Sequence, residues 1–279
     1  MRQPDNQHAA VTGYPVSHSL SPLIMSQWIN AAGLDAVYDK IEIPPNDAAQ
    51  SFQTHARSGM VGVNVTMPHK ELALDIAHSV TDRARRVGAA NRLVFRNGEI
   101  HADNTDVPGY QAGLQDAGIA DRPDSVLILG AGGAARAIMC SYLEAGVDRI
   151  LISNRTRERA VTLAKDLCPN AEIIDWDNRS DAARTVGHVV NVTALGLNGK
   201  GELGIDFSAV RSDLVVIDTV YAPLNTRFLQ AAHSSGLRTV DGLRMLVGQA
   251  RPSFEAFFGV SVPQLDPRPA LIEALGEQA

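Results

Sequence analysis

The chain has 279 residues, enough for two domains of ordinary size, and 45% of them are hydrophobic, enough to fill real cores. Its net charge of −6 gives no electrostatic reason to expect nucleic acid as a partner. No apolar run approaches the roughly 18 residues of a membrane span. Residues 1–10 lack the apolar stretch of a signal peptide, and two cysteines, Cys140 and Cys168, do not make a disulfide framework. A reduced, cytoplasmic setting is expected.

In chain order, residues 8–13, 37–43 and 61–66 read as strands, with helices expected over 22–32 and 47–58. Pro22 suits a first helical turn, with Ser21 as its cap. This is βαβ spacing, hence a partly parallel sheet. Residues 93–96 and 99–101 flank Asn97-Gly98, a strong two-residue hairpin signal. A connecting helix is expected over 106–117. Further strands are expected over 126–130, 149–153, 171–174, 188–192, 214–218 and 238–240, with Cys140 and Cys168 on helices before and after the second of these. The polar, Gly-rich segment 198–206 reads as a mobile loop, and 243–258 as a late amphipathic helix. The expected fold is α/β in two lobes, with a ligand cleft between them.

The segment Val126-Leu-Ile-Leu-Gly-Ala-Gly-Gly-Ala-Ala-Arg-Ala137 carries the most information. It reads strand, glycine turn, helix, the context in which a G-x-G-x-x-G/A match has a physical meaning. Gly130 allows the tight turn, Gly132 lets backbone approach a pyrophosphate, and Ala135 keeps the helix close to the sheet. The following helix start then presents free N–H groups to phosphate. The next strand ends in Asn154-Arg155-Thr156. A site for NAD wants Asp or Glu about 20 residues past the turn, for the ribose hydroxyl. Here the position is Asn154, with Arg155 and Arg159 following. Four residues apart, the two arginines share a face if a helix starts between them, and paired guanidinium groups suit a 2′-phosphate. The alternative is a solvated basic helix start, with Arg157 and Glu158 among them. A cation at a helix start opposes the dipole, which favours a ligand, and NADP is the expected cofactor.

Three polar clusters stand out in the first lobe: His18-Ser-Leu-Ser-Pro22, Asn64-Val-Thr-Met-Pro-His-Lys70 and Asp103-Asn-Thr-Asp106. The first two follow strands, and the carboxyl ends of parallel strands are the ligand edge of an open sheet. Lys70 beside a carboxylate such as Asp106 suits proton delivery to an alkoxide formed by hydride transfer. Plainer readings exist for each: Ser21 or Asp106 as a helix cap, Lys70 as an exposed first-turn residue, His69 as a surface residue. The eight histidines show no ligand spacing and no C-x-x-C is present, so no metal site is expected.

Together these motifs resemble the shikimate dehydrogenase family over nearly the whole chain. The resemblance rests on Gly13-Tyr-Pro-Val-Ser-His-Ser-Leu-Ser-Pro22, Asn64-Val-Thr-Met-Pro-His-Lys70, Asp103-Asn-Thr-Asp-Val-Pro-Gly109, Gly130-Ala-Gly-Gly-Ala134, Asn154-Arg-Thr156, Asp218-Thr-Val-Tyr-Ala-Pro223 and Met245-Leu-Val-Gly-Gln249. It implies an NADP-dependent interconversion of 3-dehydroshikimate and shikimate, by a monomer or homodimer. It implies Lys70 as the catalytic lysine and Asp106 as its partner. Ser19 and Ser21 would bind the substrate carboxylate, and Thr66, Asn91, Tyr221 and Gln249 would surround the ring and its hydroxyls. Gly130, Ala131, Gly132, Gly133 and Ala134 would bind pyrophosphate, and Asn154, Arg155, Thr156 and Arg159 the adenosine end. The fold it implies is an N-terminal α/β substrate-binding domain, 1–106 completed by 243–279, and a Rossmann-type NADP-binding domain, 107–242.

Departures from the family pattern touch both sides of the expected cleft. Arg92 stands where the family usually has Thr, so that a long cation is expected to contact an anionic substrate, crowd the pocket or reach solvent. Asn191-Val-Thr-Ala194-Leu-Gly196 replaces Asn-Ala-Thr-Ser-x-Gly, Arg244 replaces a small residue, and Arg251-Pro252 is expected to interrupt an apolar helix start. These keep open a quinate- or aminoshikimate-like substrate. Two other readings are a non-catalytic dinucleotide sensor, against which both Lys70 and Asp106 argue, and a folate dehydrogenase of similar shape.

Overall fold

Aliphatic runs between turn residues build two α/β units, Met1–Gly109 with Val247–Leu271 and Tyr110–Leu246 with Ile272–Ala279. The computed structural model describes residues 6–119 and 122–276; residues 1–5 of the amino-terminal stretch read for a signal peptide lie outside them. Within the second unit Gly113 lies directly against Arg244 and Met245.

The first part of the chain runs β1 (Gln7–Gly13), α1 (Ser21–Ala31), β2 (Ala36–Glu42), α2 (Ala48–Arg57), β3 (Gly62–Val65), α3 (Lys70–Asp75), β4 (Ser79–Val80), α4 (Asp82–Val87), β5 (Arg92–Arg96), β6 (Glu99–Asp103) and α5 (Asp106–Asp116). Its strands lie in the order β2-β1-β3-β5-β6-β4. β1 is parallel to β2 and β3, while β5 is antiparallel to both β3 and β6. The carboxyl ends of β1, β3 and β6 and the amino end of β5 therefore share one sheet edge. The chain leaves β1 for β2 on one side and returns to β3 on the other, which opens a crevice between the ends of β1 and β3. Phe52, Val63, Leu93, Phe95 and Ile100 pack in one core cluster of this unit. Trp28 meets Phe254 edge-on at 5.7 Å and donates Nε1–H to the Leu265 carbonyl at 3.0 Å. The Asn97-Gly98 turn joins β5 to β6 with both residues at positive φ, 54° and 80°, as a two-residue hairpin of this kind requires.

The chain continues through β7 (Ser125–Leu129), α6 (Gly133–Glu144), β8 (Arg149–Ser153), α7 (Arg157–Leu167), β9 (Glu172–Ile174), α8 (Arg179–Ala183), β10 (His188–Asn191), β11 (Val215–Asp218), α9 (Arg227–Ser234), β12 (Arg238–Val240), α10 (Gly242–Phe258) and α11 (Arg268–Ala274). The strands of the second sheet are all parallel, in the order β12-β11-β10-β7-β8-β9. Every residue of β7 and β10 is buried, as expected of strands covered on both faces. The strand order reverses between β7 and β10, which places the ligand edge at the Gly-rich turn after β7.

Several expectations change. Ser21 is the first residue of α1 rather than its cap; Leu20 holds the cap position without a side-chain bond, and the Ser19 hydroxyl accepts from the Ser21 N–H at 3.3 Å. Pro252 lies inside α10 without interrupting it. Cys168 follows α7 as its terminal cap rather than lying within a helix, and neither it nor buried Cys140 forms a disulfide. The two-residue strand β4 and the short helices α3, α4 and α8 had no clear periodic signal.

At the carboxyl ends of β10 and β11 a buried carboxylate ties three loops together. Asp218, 1% exposed, accepts from Asn191 Nδ2 at 2.8 Å and the Val220 N–H at 2.9 Å through Oδ1, and from the Thr226 hydroxyl at 2.7 Å through Oδ2. Asn191 passes the constraint on, accepting from the Thr193 N–H at 2.9 Å and hydroxyl at 2.7 Å, while Thr226 caps α9. Burial pushes the Asp218 carboxyl up to about 6, against the opposing pull of the Thr226, Val220 and Asn191 bonds. The folded chain thus keeps a proton that the unfolded chain releases near its ordinary value of 3.8. Stability attached to this group is fully present below pH 4 and is lost as pH rises towards 6, by an order of about 3 kcal/mol. Asp218→Asn, which carries no charge, is expected to gain stability relative to the wild type between pH 4 and pH 7. Urea midpoints of both proteins at those two pH values measure this. A difference between them that is the same at both would contradict the buried ionisation.

Candidate active site

The ligand edge of the first sheet is braced before any functional side chain is considered. The Tyr14 N–H donates to the Met67 carbonyl at 3.0 Å, so the segments after β1 and β3 run together. Val16 N–H bonds Glu42 Oε2 at 3.1 Å, and Lys40 Nζ bonds the Ser17 carbonyl at 2.6 Å, which fixes the approach to Ser19 and Ser21. Gly13 has no room for a side chain, because a Cβ there would stand 2.4 Å from Thr66 Cγ2 and 2.9 Å from the Met67 carbonyl. His69 is a correction: it is 2% exposed, not a surface residue. Its Nε2 lies 2.7 Å from the Ile43 carbonyl, and since a carbonyl only accepts, Nε2 carries the proton. The ring also meets Phe52 edge-on, so the turn leading into Lys70 is anchored from below.

Lys70 is the first residue of α3, where a cation opposes the helix dipole and needs a counter-charge. Asp106 supplies it, with Nζ and Oδ2 2.6 Å apart and the two side chains 16% and 7% exposed. Asp106 is the first residue of α5 rather than only a cap, and its N–H is satisfied by Asn104 Oδ1 at 3.0 Å. Asn91 Nδ2 donates to the second Asp106 oxygen at 2.8 Å, and Asn91 Oδ1 accepts from the Thr105 N–H at 2.6 Å. The Thr105 hydroxyl reaches Gln249 Oε1 and Ser253 Oγ, each at 3.5 Å, the outer limit of a bond. Lys70, Asp106, Asn91 and Gln249 thus form one connected group, drawn from four chain segments. Ser19, Ser21 and Thr66 are set at the same edge by the ends of β1 and β3. The ammonium keeps two N–H bonds beyond the one on Asp106 and remains partly open, so it can exchange a proton with a hydroxyl placed beside it.

Arg92 reaches neither open solvent nor an open pocket. Its side chain is 14% exposed, with Nη2 2.5 Å from Asp103 Oδ2 and Nη1 2.7 Å from the Pro252 carbonyl. Asp103 also receives Thr81 Oγ1 at 2.6 Å, Arg83 Nη2 at 2.9 Å and the Asn104 N–H at 2.8 Å. Burial alone would raise the Asp103 carboxyl, but the Thr81 bond and the Arg92 and Arg83 charges hold it below the ordinary carboxylate range. Arg244 likewise turns to carboxylates, Asp116 and, at 3.4 Å, Asp241.

In the second unit Gly130 has φ +121°, and its N–H bonds the Ser153 carbonyl at 2.8 Å. A Cβ there would meet the Val192 carbonyl at 2.9 Å, so no other residue fits. Gly132 is the opposite case: it is exposed, caps α6 in an extended conformation, and a Cβ on it would meet nothing within 4 Å. That open approach to the first turn of α6, with Ala131, Gly133 and Ala134 half-buried around it, fits a pyrophosphate. Asn154 Nδ2 donates to the Thr156 carbonyl at 2.7 Å, shaping the turn before α7. α7 begins at Arg157, between the two arginines of interest. Arg157 pairs with Asp175, whereas Arg155 and Arg159 are exposed and have no ion-pair partner among the described residues. That donor set fits a phosphate on the adenosine ribose. Tyr221 lies in this unit, half-buried beyond the Val220 N–H that Asp218 holds. Among the described residues no His, Cys, Asp or Glu group suited to a metal is present, and no helix is long and apolar enough to cross a membrane.

Supporting residues to which the sequence assigns no role are Ser253, Asn191 and Asp218, with Thr81 beside Asp103. Ser253 carried a signal: it lies one helical turn after Gln249, and its Oγ bonds Asn64 Nδ2 at 2.8 Å.

Comparison with known proteins agrees with this geometry. Residues 11–93 match the shikimate dehydrogenase substrate binding domain, and residues 119–195 match shikimate / quinate 5-dehydrogenase. A shikimate dehydrogenase (NADP(+)) of Maricaulis maris is 47% identical, with 96% of each chain covered. The crystal structure of a shikimate 5-dehydrogenase from Thermus thermophilus in complex with NADP(H) and shikimate superposes with a TM-score of 0.85 at 32% identity, covering 97% of this chain and 98% of the other. A quinate dehydrogenase from Corynebacterium glutamicum in complex with NAD shares the fold at 27% identity and a TM-score of 0.88, covering 97% and 100%. The identities favour the shikimate enzymes over the quinate one, and with near-complete coverage on both sides the chain belongs to the shikimate dehydrogenase family.

Proposed function

We infer that this chain interconverts 3-dehydroshikimate and shikimate with NADP, with Lys70 and Asp106 as its proton-handling pair. The observation that carries the reading is the 2.6 Å contact between those two side chains at the ligand edge of the first sheet, locked by Asn91. The nicotinamide, when bound, supplies or accepts the hydride. The chain's own residues do the rest. Lys70 gives a proton to the oxygen of the carbon being reduced, or takes one from the hydroxyl being oxidised. Asp106 aims the ammonium through the 2.6 Å contact between them. Lys70 and Asn91 each donate to one Asp106 oxygen, which holds the carboxylate in place beside the ammonium.

The first unit would act as the substrate domain and the second as the NADP domain. Ser19 and Ser21 would receive the substrate carboxylate, and Thr66, Asn91, Gln249 and Tyr221 the ring hydroxyls. Gly130–Ala134 would hold the pyrophosphate through backbone N–H groups, and Asn154, Arg155, Thr156 and Arg159 the adenosine end. Arg92 is taken by Asp103 and the Pro252 carbonyl, and Arg244 by Asp116 and Asp241, so neither cation is left for a new anion, which favours shikimate. Two cysteines outside any disulfide, one of them buried, suit a reducing cytoplasm.

Lys70→Ala is expected to lower kcat for shikimate oxidation by about 10²- to 10⁴-fold while leaving the Kd for NADP within about twofold. Steady-state rates and cofactor titration measure the two quantities, and an unchanged kcat would remove Lys70 from the reaction. Arg155→Ala and Arg159→Ala are each expected to raise the KM for NADP about tenfold or more, with that for NAD unmoved. Equal effects on the two cofactors would mean the arginines do not read the 2′-phosphate.

A further inference from the structure

Three side chains stand abreast on one face of the first sheet. In the ladder Arg92 of β5 is directly opposite Asn64 of β3 on one side and Asp103 of β6 on the other. Residues opposite in register point to the same face. Helix α10 lies on that face: Ser253 Oγ accepts from Asn64 Nδ2 at 2.8 Å, and the Pro252 carbonyl accepts from Arg92 Nη1 at 2.7 Å. Gly62, two residues before Asn64 and so on the same face, has no side chain because Phe257 of α10 stands 2.5 Å from where its Cβ would be. The helix is therefore seated on the strands by two neighbouring polar contacts and one aromatic one.

The two arms of Arg92 lead to different parts of the site. Nη2 holds Asp103, whose chain continues through Asn104 and Thr105 to Asp106. Nη1 holds Pro252, one turn from Gln249, whose own amide oxygen faces the Thr105 hydroxyl at 3.5 Å. Asn91, the immediate chain neighbour of Arg92, bonds Asp106. We propose that Arg92 is a positioning residue that couples the Asp103–Asp106 turn to helix α10, and so sets the spacing between the Lys70–Asp106 pair and the Gln249 amide. It touches neither substrate nor cofactor in this account. A threonine, which the family pattern leads one to expect here, has a side chain too short to reach both partners, so in this chain the coupling depends on the guanidinium fork. Arg83 shares the Asp103 carboxylate but has no hydrogen bond or ion pair to α10 among the described residues; at 36% side-chain exposure it is a natural control for charge alone.

The inference rests on the reading of the Lys70–Asp106 pair, and the experiment separates the two. Full-length Arg92→Thr, Arg92→Lys and Arg83→Ala are compared with the wild type for kcat, for KM of shikimate and for KM of NADP, with Lys70→Ala assayed alongside. Arg92→Thr is expected to lose roughly 10- to 100-fold in kcat/KM for shikimate, the scale on which a small misplacement of reacting groups acts. Its KM for NADP stays within about twofold of the wild type. Arg92→Lys keeps a charge on Asp103 but lacks the second arm, so it recovers only part of the loss, and Arg83→Ala stays near the wild type. Wild-type constants in Arg92→Thr would overturn the proposal, as would an equal loss in Arg83→Ala, which would make the charge on Asp103 the whole effect. Should Arg92→Thr fail to fold, a folded Arg92→Lys with wild-type kcat/KM overturns it on its own. Full activity in Lys70→Ala would instead sink the proton-transfer pair, while the Arg92 constants would still report whether the fork sets substrate placement.

Discussion

A lysine and an aspartate brought together out of bulk water, 36 positions apart in sequence, are the constraint around which the first unit is organised. Each alone would carry a desolvation cost of several kcal/mol, and together they are tolerable only with good geometry and every remaining oxygen satisfied. Asn91 fills the second Asp106 oxygen, Thr105 fixes Asn91, and Asn104 fixes both the Asp106 backbone and, through the Ala89 carbonyl at 2.9 Å, the end of the preceding helix segment. A partly satisfied network of this kind would be worse than an apolar one, which is why so many neighbouring residues are polar and yet buried. The geometry needed to keep the charges folded is the geometry needed to present an ammonium at a fixed place on the sheet edge.

The second unit solves a different problem by the same means. A pyrophosphate must be approached by backbone, so the turn after β7 gives up side chains where they would intrude. Gly130 is forced by the Val192 carbonyl behind it, and Gly132 is open in front. On the next strands the loops have no such steric reason to hold their shape, and Asp218 supplies one through bonds to Asn191, Val220 and Thr226. Its cost is a carboxyl whose ionisation burial opposes, raising it to about 6. The stability lost in this way is the expense of ordering the segments around Thr193 and Tyr221.

Much of this was legible in the chain itself, and the reasons are physical. Strands such as Arg149–Ser153 stand out because both faces are buried and the apolar run is unbroken. Asn97-Gly98 stands out because few residue pairs accept positive φ twice. Lys70 and Asp106 stand out by their motifs and Asn91 by the family resemblance, although neither gives the 2.6 Å contact between Lys70 and Asp106. What stayed hidden depends on partners distant in sequence. His69 looks like a surface residue beside a lysine until the Ile43 carbonyl, 26 positions away, is placed over it. Arg92 looks like a specificity change until Asp103 and Pro252 are seen to hold both its arms. Pro252 looks like a helix breaker, yet α10 passes through it while its carbonyl is taken by Arg92. The two-residue strand β4 is too short for any periodicity to show.

The central claim is that Lys70 and Asp106 act as one unit rather than as two contributors. A double-mutant cycle on kcat for shikimate oxidation, built from Lys70→Met, Asp106→Asn and the pair, tests this most directly. The account predicts that the double variant is no slower than the slower single variant, because removing either partner already disables the proton transfer. Single effects that multiply in the double variant would show two independent roles and would contradict it.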